Sequence, residues 1–232
     1  MNIQFKSCGL RALSFLVLLT GCSVQAAEPG GITIGGTRII YDGNKKETTL
    51  SVTNSDSKPY LIQSWTETQA GGADKAPFII TPPLFRLEGH KQNLLRIIRT
   101  SGNLPDDRES LYWLNVKSIP AGSNKEGANT LQIAIKTRIK LIYRPKSLKE
   151  KPEEVTEKLV WRKEGSHLTV TNPTPFVMNF QQVKIGNEVV KNANYVMPMT
   201  SATFTLPATA SGAITWKLIS DYGGIGALHS NK

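Results

Sequence analysis

Residues 131–144 read LQIAIKTRIKLIYR, with a large apolar residue at every odd position except 137: Leu131, Ile133, Ile135, Ile139, Leu141 and Tyr143. Period-2 spacing sustained over this length predicts a β-strand with one greasy face. The even positions include Lys136, Arg138, Lys140 and Arg144, and no acid. Such a strand must bury its apolar face against a second layer and pair along its edges. The rest of the chain therefore has to supply both, and it reads as strands.

From residue 32 onward, apolar alternation recurs between turn signals about every ten residues. ITIGGTRIIYDG ends in an Asp-Gly turn; TTLSVTN stops at the NSDSKP cluster. YLIQSWTET, FIITPP, LLRIIRT and SLYWLNVKSIP follow, and a polar loop, AGSNKEGAN at 121–129, leads into residues 131–144. These are seven strand candidates in about 110 residues, the spacing of an antiparallel immunoglobulin-like sandwich. RPKSLKEKPEE at 144–154 holds two prolines, mixed charge and little apolar content, and reads as a linker. The pattern then resumes more weakly in EKLVWRK, SHLTVTN, FVMNFQQVKI, SATFTLP and AITWKLIS. The expectation is all-β: an N-terminal immunoglobulin-like domain over 27–145 and a smaller β-sandwich over 146–232. No stretch shows a long helical period. The four tryptophans, Trp65, Trp113, Trp161 and Trp216, fall in strand candidates and are read as core rather than as a sugar-stacking platform.

The first residues belong to targeting rather than to the fold. Lys6 and Arg11 flank ALSFLVLLT, an apolar run too short to span a bilayer, and Val24 and Ala26 form a small-residue cleavage site. Residues 1–26 are read as a signal peptide for export. LTGC at 19–22 offers an alternative, a lipoprotein box in which Cys22 would be lipidated. Both cysteines, Cys8 and Cys22, lie in this segment, so the mature chain has no disulfide and depends on its core. The formal net charge is +10, and removal of Lys6 and Arg11 leaves +8. An exported basic protein meets anionic surfaces or acidic partners, and nucleic acid is not expected there. His90, His167 and His229 lack metal-ligand spacing, and no nucleophile elbow or phosphate loop is present. His90 follows Gly89 and reads as an exposed loop residue. No enzyme, metal or cofactor is expected.

LPDDRESLYWLNVKSIP at 104–120 resembles the hallmark segment of the periplasmic pilus (fimbrial) chaperones of the chaperone–usher pathway. TRIIYDG, TPPLFRLE, LQIAIKTRIKLIYRP, NPTPF and DYGG match that family in order, so the resemblance spans essentially the whole mature chain. It implies two immunoglobulin-like domains in an L or boomerang arrangement with a cleft between them. It implies a periplasmic chaperone that binds, folds and caps pilus subunits by donor-strand complementation and passes them to an outer-membrane usher. By that resemblance Leu131, Ile133 and Ile135 are the donor residues. Their own periodicity leaves open that they fill their own core. Arg38 and Lys140 would anchor the subunit's C-terminal carboxylate, while Glu109, Arg144 and Asp221 would form a charged network between the domains. The short loop at 121–129 and the lack of mature cysteines resemble the short-loop branch. The resemblance leaves Thr81–Pro82 open between cis and trans, and LHSNK, soon after DYGG, leaves the last strand of the second domain in doubt. Lys136 and Arg138 receive no role and read as a solvated face. An exposed apolar edge of this kind could also pair with a second copy of the chain. An exported pilus subunit and a carbohydrate-binding β-sandwich are the alternative readings.

Overall fold

The computed structural model describes residues 30–71, 75–100, 102–122, 131–207 and 210–231. The signal-peptide and Cys22 readings, and most of the 121–129 loop on which the short-loop reading rests, lie outside them. The first apolar run does not form one strand. It breaks at Gly35-Gly36 into β1 (Ile32–Ile34) and β2 (Arg38–Asp42). The break moves the chain from one sheet to the other. β1 pairs antiparallel with β3 (Glu47–Asn54), whereas β2 pairs parallel with β9 (Ile135–Arg144). The remaining strands of this half are β4 (Tyr60–Thr68), β5 (Phe78–Thr81), β6 (Leu84–Leu87), β7 (Gln92–Arg99) and β8 (Ser110–Pro120). One sheet runs β1-β3-β7-β5 and the other β2-β9-β8-β4-β6. Nine strands thus stand where seven were read. The additions are the β1/β2 split and β6, which follows a cis Thr81–Pro82 bond.

Burial follows the pleat. Ile62 and Ser64 of β4, Leu114 and Val116 of β8, and Ile139, Leu141 and Tyr143 of β9 point between the sheets and are buried. With Val52, Leu95 and Ile97 from the facing sheet they form one apolar core. The opposite parity of β4 and β8 turns outward, and that parity includes Trp65 and Trp113. Both are half-exposed, which corrects the core reading for these two. Trp216 is 2% exposed, with its indole N–H donating to Thr156 Oγ1 at 2.9 Å, and half-buried Trp161 packs against it.

The 144–154 stretch is also corrected. It is the entrance to the second domain rather than a free linker. Leu148 packs on that domain's core, and Pro152–Val155 forms a helical turn, α1, with Pro152 and Val155 buried. Pro152 suits the first helical position because its missing N–H would have no partner there. A 3-10 turn at Thr156–Lys158 follows. Next come β10 (Val160–Glu164), β11 (His167–Asn172), β12 (Met178–Ile185), β13 (Glu188–Val189), β14 (Tyr195–Val196), β15 (Thr200–Thr205), β16 (Ile214–Ile219) and β17 (Ile225–Ser230). One sheet is β10-β11-β15; the other runs β13-β12-β16-β17, with β14 also on β12. The last strand, in doubt from the sequence, is present as β17 paired with β16. His90 is exposed in its turn, as read.

The opening stretch is shorter as a strand than its alternation suggests. β9 begins at Ile135, opposite Ser118 near the end of β8, and Leu131–Ala134 have no paired neighbour among the described residues. The apolar stripe therefore outruns its sandwich. Its C-terminal half is buried, while Leu131, Ile133 and Ile135 are 86%, 64% and 61% exposed. Truncation should separate the halves. Leu114→Ala should cost about 2–5 kcal/mol of folding stability, while Leu131→Ala and Ile133→Ala should each stay within about 0.5 kcal/mol. Urea unfolding measures both. A loss at Ile133 as large as that at Leu114 would mean the stripe packs on its own core after all.

Candidate functional site

β2 lies beside β9 only from Lys140 to Arg144, with Arg38 opposite Lys140 and Asp42 opposite Arg144. From Ile135 to Ile139, β9 is paired with β8 on one side, and no described strand pairs with its other side. An open edge presents unpaired backbone N–H and C=O groups, a template for a further strand. Here it runs into the exposed apolar stripe at 131–135. Exposed apolar side chains in a row along an open edge are rare on a monomer and mark an interaction surface.

At the point where β2 closes that edge stand two cations. Arg38 donates weakly from Nη1 to the carbonyl of Ile219 at 3.4 Å, and its buried Nε meets no acceptor among the described residues. Burial lowers its pKa. Lys140 Nζ donates to Asn179 Oδ1 at 2.6 Å and sits 4.4 Å from the centre of the Tyr195 ring. Burial first, and then the nearby Arg38 charge, pull the Lys140 ammonium down to about 8. Neither cation is bonded to a carboxylate among the described residues. Two half-buried cations with spare donors form a site for an anion.

Arg144, four residues further along β9, is the opposite case. Its Nε donates to Glu109 Oε1 at 2.6 Å, and Nη1 and Nη2 donate to the two oxygens of Asp221 at 2.7 and 2.9 Å. The other oxygen of Glu109 accepts from the backbone N–H of Val177 at 2.7 Å. Glu109 comes from the start of β8, Arg144 from the end of β9, and Val177 and Asp221 from the second domain, so the network spans both. Two close backbone approaches seat it. At Gly43 a Cβ would come within 2.9 Å of the Arg144 carbonyl oxygen. Gly223 has φ +85°, and a Cβ there would come within 2.8 Å of Thr37 Oγ1, beside Arg38. Beneath lies a small apolar cluster of Leu111, Ile142 and Val177. Burial pushes the Glu109 carboxyl up to about 7, against the pull of Arg144 and the Val177 N–H. Arg144 is shifted up, because two carboxylates together outweigh its burial. The directions are compatible: Asp221 already holds two of the Arg144 donors, so Glu109 faces a cation that is partly neutralised.

The site residues named from the sequence lie on β9, in the segment just before it (Leu131 and Ile133), or against it. Four residues were missed. Asn179 and Tyr195 hold Lys140 from the second domain, with Gln69 Nε2 donating to the Tyr195 hydroxyl at 3.3 Å. Glu67 of β4 pairs with both Arg138, at 3.1 Å, and Lys136, at 3.5 Å, which corrects their reading as a merely solvated face. Parity could have found Glu67, since it shares the outward face of β4 with Trp65. Nothing local marks Asn179 or Tyr195. Among the described residues no group of three or more His, Cys, Asp or Glu is placed to hold a metal.

Comparison with known proteins gives concordant matches. The family model for the pili and flagellar-assembly chaperone PapD N-terminal domain matches residues 31–149, and that for the pili assembly chaperone PapD C-terminal domain matches 154–230. The chaperone protein FimC of Escherichia coli strain K12 is 43% identical over 216 residues, covering 92% of this chain and 89% of that protein. The chaperone protein FocC of Escherichia coli is 47% identical over 199 residues, covering 84% and 87%. A chain in the structure of the Salmonella enterica SafA pilin in complex with the SafB chaperone superimposes with a TM-score of 0.82 at 37% identity, covering 89% of this chain and 98% of that one. The periplasmic chaperone SfaE gives 0.74 at 42% identity, covering 86% and 98%.

The raised Glu109 carboxyl sets a pH dependence. The folded chain holds this proton up to about 7, whereas an unshifted carboxyl releases it near 4.5. The folded state thus binds the extra proton in that window, so its contribution to stability is full below about 4.5 and is lost as pH rises to about 7. Glu109→Gln, neutral at every pH, should flatten this slope in urea unfolding across the window. Equal slopes in the two proteins would mean that Glu109 is ionised throughout.

Proposed function

The chain belongs to the family of pilus-assembly chaperones, and we propose that it acts by lending a pilus subunit the open half of β9 as a missing strand. Strand addition of this kind is the recognition mode known for chaperone–pilin pairs. The observation that carries the reading is the apolar stripe of β9 running past its own sandwich on an open edge. Leu131, Ile133 and Ile135 are the donor residues. Inserted into a subunit groove, each contributes about 1.5–3 kcal/mol from burial, before ordering costs are counted.

Arg38 and Lys140 anchor the subunit's C-terminal carboxylate. The geometry then fixes direction. A strand that ends at this pair and covers the open edge has its C-terminus beside Lys140 and its earlier residues beside Ile135 and Ile133. It therefore runs parallel to β9, in line with β2, which is parallel to β9 as well. The anchor also fixes register, and a slip by one residue would turn the donor side chains away from the groove. Lys140 is suited to the task because Asn179 and Tyr195 orient it without neutralising it. The arriving carboxylate supplies the missing negative charge. Glu109, Arg144 and Asp221 hold the two domains in the relation that brings Asn179 and Tyr195 to Lys140.

The chain is exported through residues 1–26, cleaved between Ala26 and Ala27, and works in the periplasm, from which loaded subunits pass to an outer-membrane usher. Without a subunit, two chains cover each other's open edges. Mass spectrometry of the mature N-terminus tests the cleavage, since a lipid on Cys22 would overturn it.

The central test is co-expression with the pilin encoded beside it and recovery of soluble complex from the periplasm. Arg38→Ala and Lys140→Ala should each weaken the complex by about 2 kcal/mol or more, roughly thirtyfold in affinity. Ile133→Asp should abolish capture while leaving the free chain folded. Undiminished complex with both cation variants would remove the anchor; undiminished complex with Ile133→Asp would remove the donor strand.

A further inference from the structure

The segment of β9 that must receive a subunit strand is the segment least supported by its own sheet. From Ile135 to Ile139 it has β8 alone as a neighbour. It also carries a charge problem. Lys136, Arg138 and Lys140 share one face, at a spacing of about 6.6 Å along an extended strand. Lys117 of β8 stands directly opposite Lys136. Like charges placed this way push a strand off its sheet. With nothing to offset them, residues 135–139 would fray, and their ordering would be charged against every binding event.

Glu67 offsets them from two strands away. It lies on β4 opposite Trp113 of β8, and Trp113 lies opposite Lys140. The Glu67 carboxylate crosses β8 diagonally to meet Arg138 at 3.1 Å and Lys136 at 3.5 Å. Asn115 makes room for the crossing. It sits between Trp65 and Arg138 in register, is short, and is fully buried. The carboxylate is itself fixed, because the Trp65 indole N–H donates to Glu67 Oε1 at 2.8 Å. The same two indoles bed the cations: the Lys136 ammonium is 5.0 Å from the Trp65 ring centre, and the Arg138 guanidinium is 4.4 Å from that of Trp113. The Glu67 side chain is 27% exposed, so the contact is partly shielded from solvent.

We propose that Glu67 is a positioning residue that pins the subunit-receiving half of β9 in its extended register before a subunit arrives. The proposal rests on the donor-strand reading above for its purpose, though not for its geometry. Glu67 touches no donor side chain and not the carboxylate anchor; it acts through Lys136 and Arg138. Trp65 and Trp113 form the floor of the clamp, which is why two tryptophans face outward. The Trp65 hydrogen bond and then the two cations hold the Glu67 carboxyl below its ordinary range. The clamp therefore stays charged at neutral pH and is lost only as pH falls below that range.

Hydrogen exchange on the free, full-length mature chain tests this without a subunit. Glu67→Gln keeps an oxygen for the Trp65 indole and removes the charge. At low salt, amides of 135–139 that bond to β8 should exchange about fivefold faster in the variant, while those of 140–144 stay unchanged. Added salt should bring the two rates together, because it screens both the attraction in the wild type and the repulsion left in the variant. Glu67→Asp should recover part of the protection. Subunit capture by Glu67→Gln should slow by a similar few-fold, far less than the loss expected for Arg38→Ala. Unchanged exchange at 135–139 overturns the clamp even if subunits are captured normally. Faster exchange with no capture by the wild-type chain upholds the clamp and overturns the donor-strand reading instead.

Discussion

Everything at the site depends on where β2 begins. The chain switches sheets at Gly35-Gly36, so β2 reaches β9 only from Lys140 onward. Below that point β9 is an interior strand, paired on both sides and buried between two sheets. Above it β9 has one neighbour and an exposed apolar row. One strand thus does two jobs because its partner covers half of it. Had β2 begun further back, the edge beside Ile135–Ile139 would be closed. A stable fold ordinarily hides such an edge. This one leaves it open and puts two cations at the step where the covering strand begins.

The basic face of β9 then resolves into a sequence of different electrostatic states. Lys136 and Arg138 share one carboxylate over two indole rings. Lys140 has only a neutral amide oxygen and an aromatic ring. Arg144 has two carboxylates, one of them buried. Carboxylates therefore meet the cations at both ends of the run, and none is bonded to Lys140 in the middle, beside Arg38. That pattern matters more than the net charge of the protein, since a basic surface attracts anions everywhere and positions none of them. A half-buried pair bonded to no carboxylate among the described residues, with ion-paired cations on either side, is attractive at one place.

Much of this was legible in the sequence. Alternation located the long strands, and the change of texture after Tyr143 located the second domain. The resemblance carried by DRES, RIKLIYRP and DYGG pointed to Glu109, Arg144 and Asp221, which the structure brings into one network. What failed had physical reasons. β13, β14 and β17 are short or terminal, with too little alternation to read. Pro152–Val155 hid behind a polar composition because only Pro152 and Val155 turn inward. Trp65 and Trp113 read as core because large aromatics usually are. The parity of Ile62 and Ser64 inward, and of Gln63 and Glu67 outward, would have placed Trp65 on the outer face. The apolar stripe of β9 was the hardest to divide. Leu and Ile occur in both halves, and nothing in the residues says which half has a second sheet above it.

The division of that stripe also explains why the two domains must be held together. Lys140 belongs to the first domain by sequence and by strand, but its orientation comes from Asn179 and Tyr195 of the second. A first domain alone would keep the open edge and the apolar row, yet Lys140 would lose both of these contacts. Docking the second domain buries that lysine beside Arg38, removes its freedom and lowers its affinity for its own proton. The Arg144 network joins the two domains with its own carboxylates. A buried ion network adds little net stability. Its value here is geometric: it ties the domains together four residues along β9 from Lys140, which itself bonds no carboxylate among the described residues.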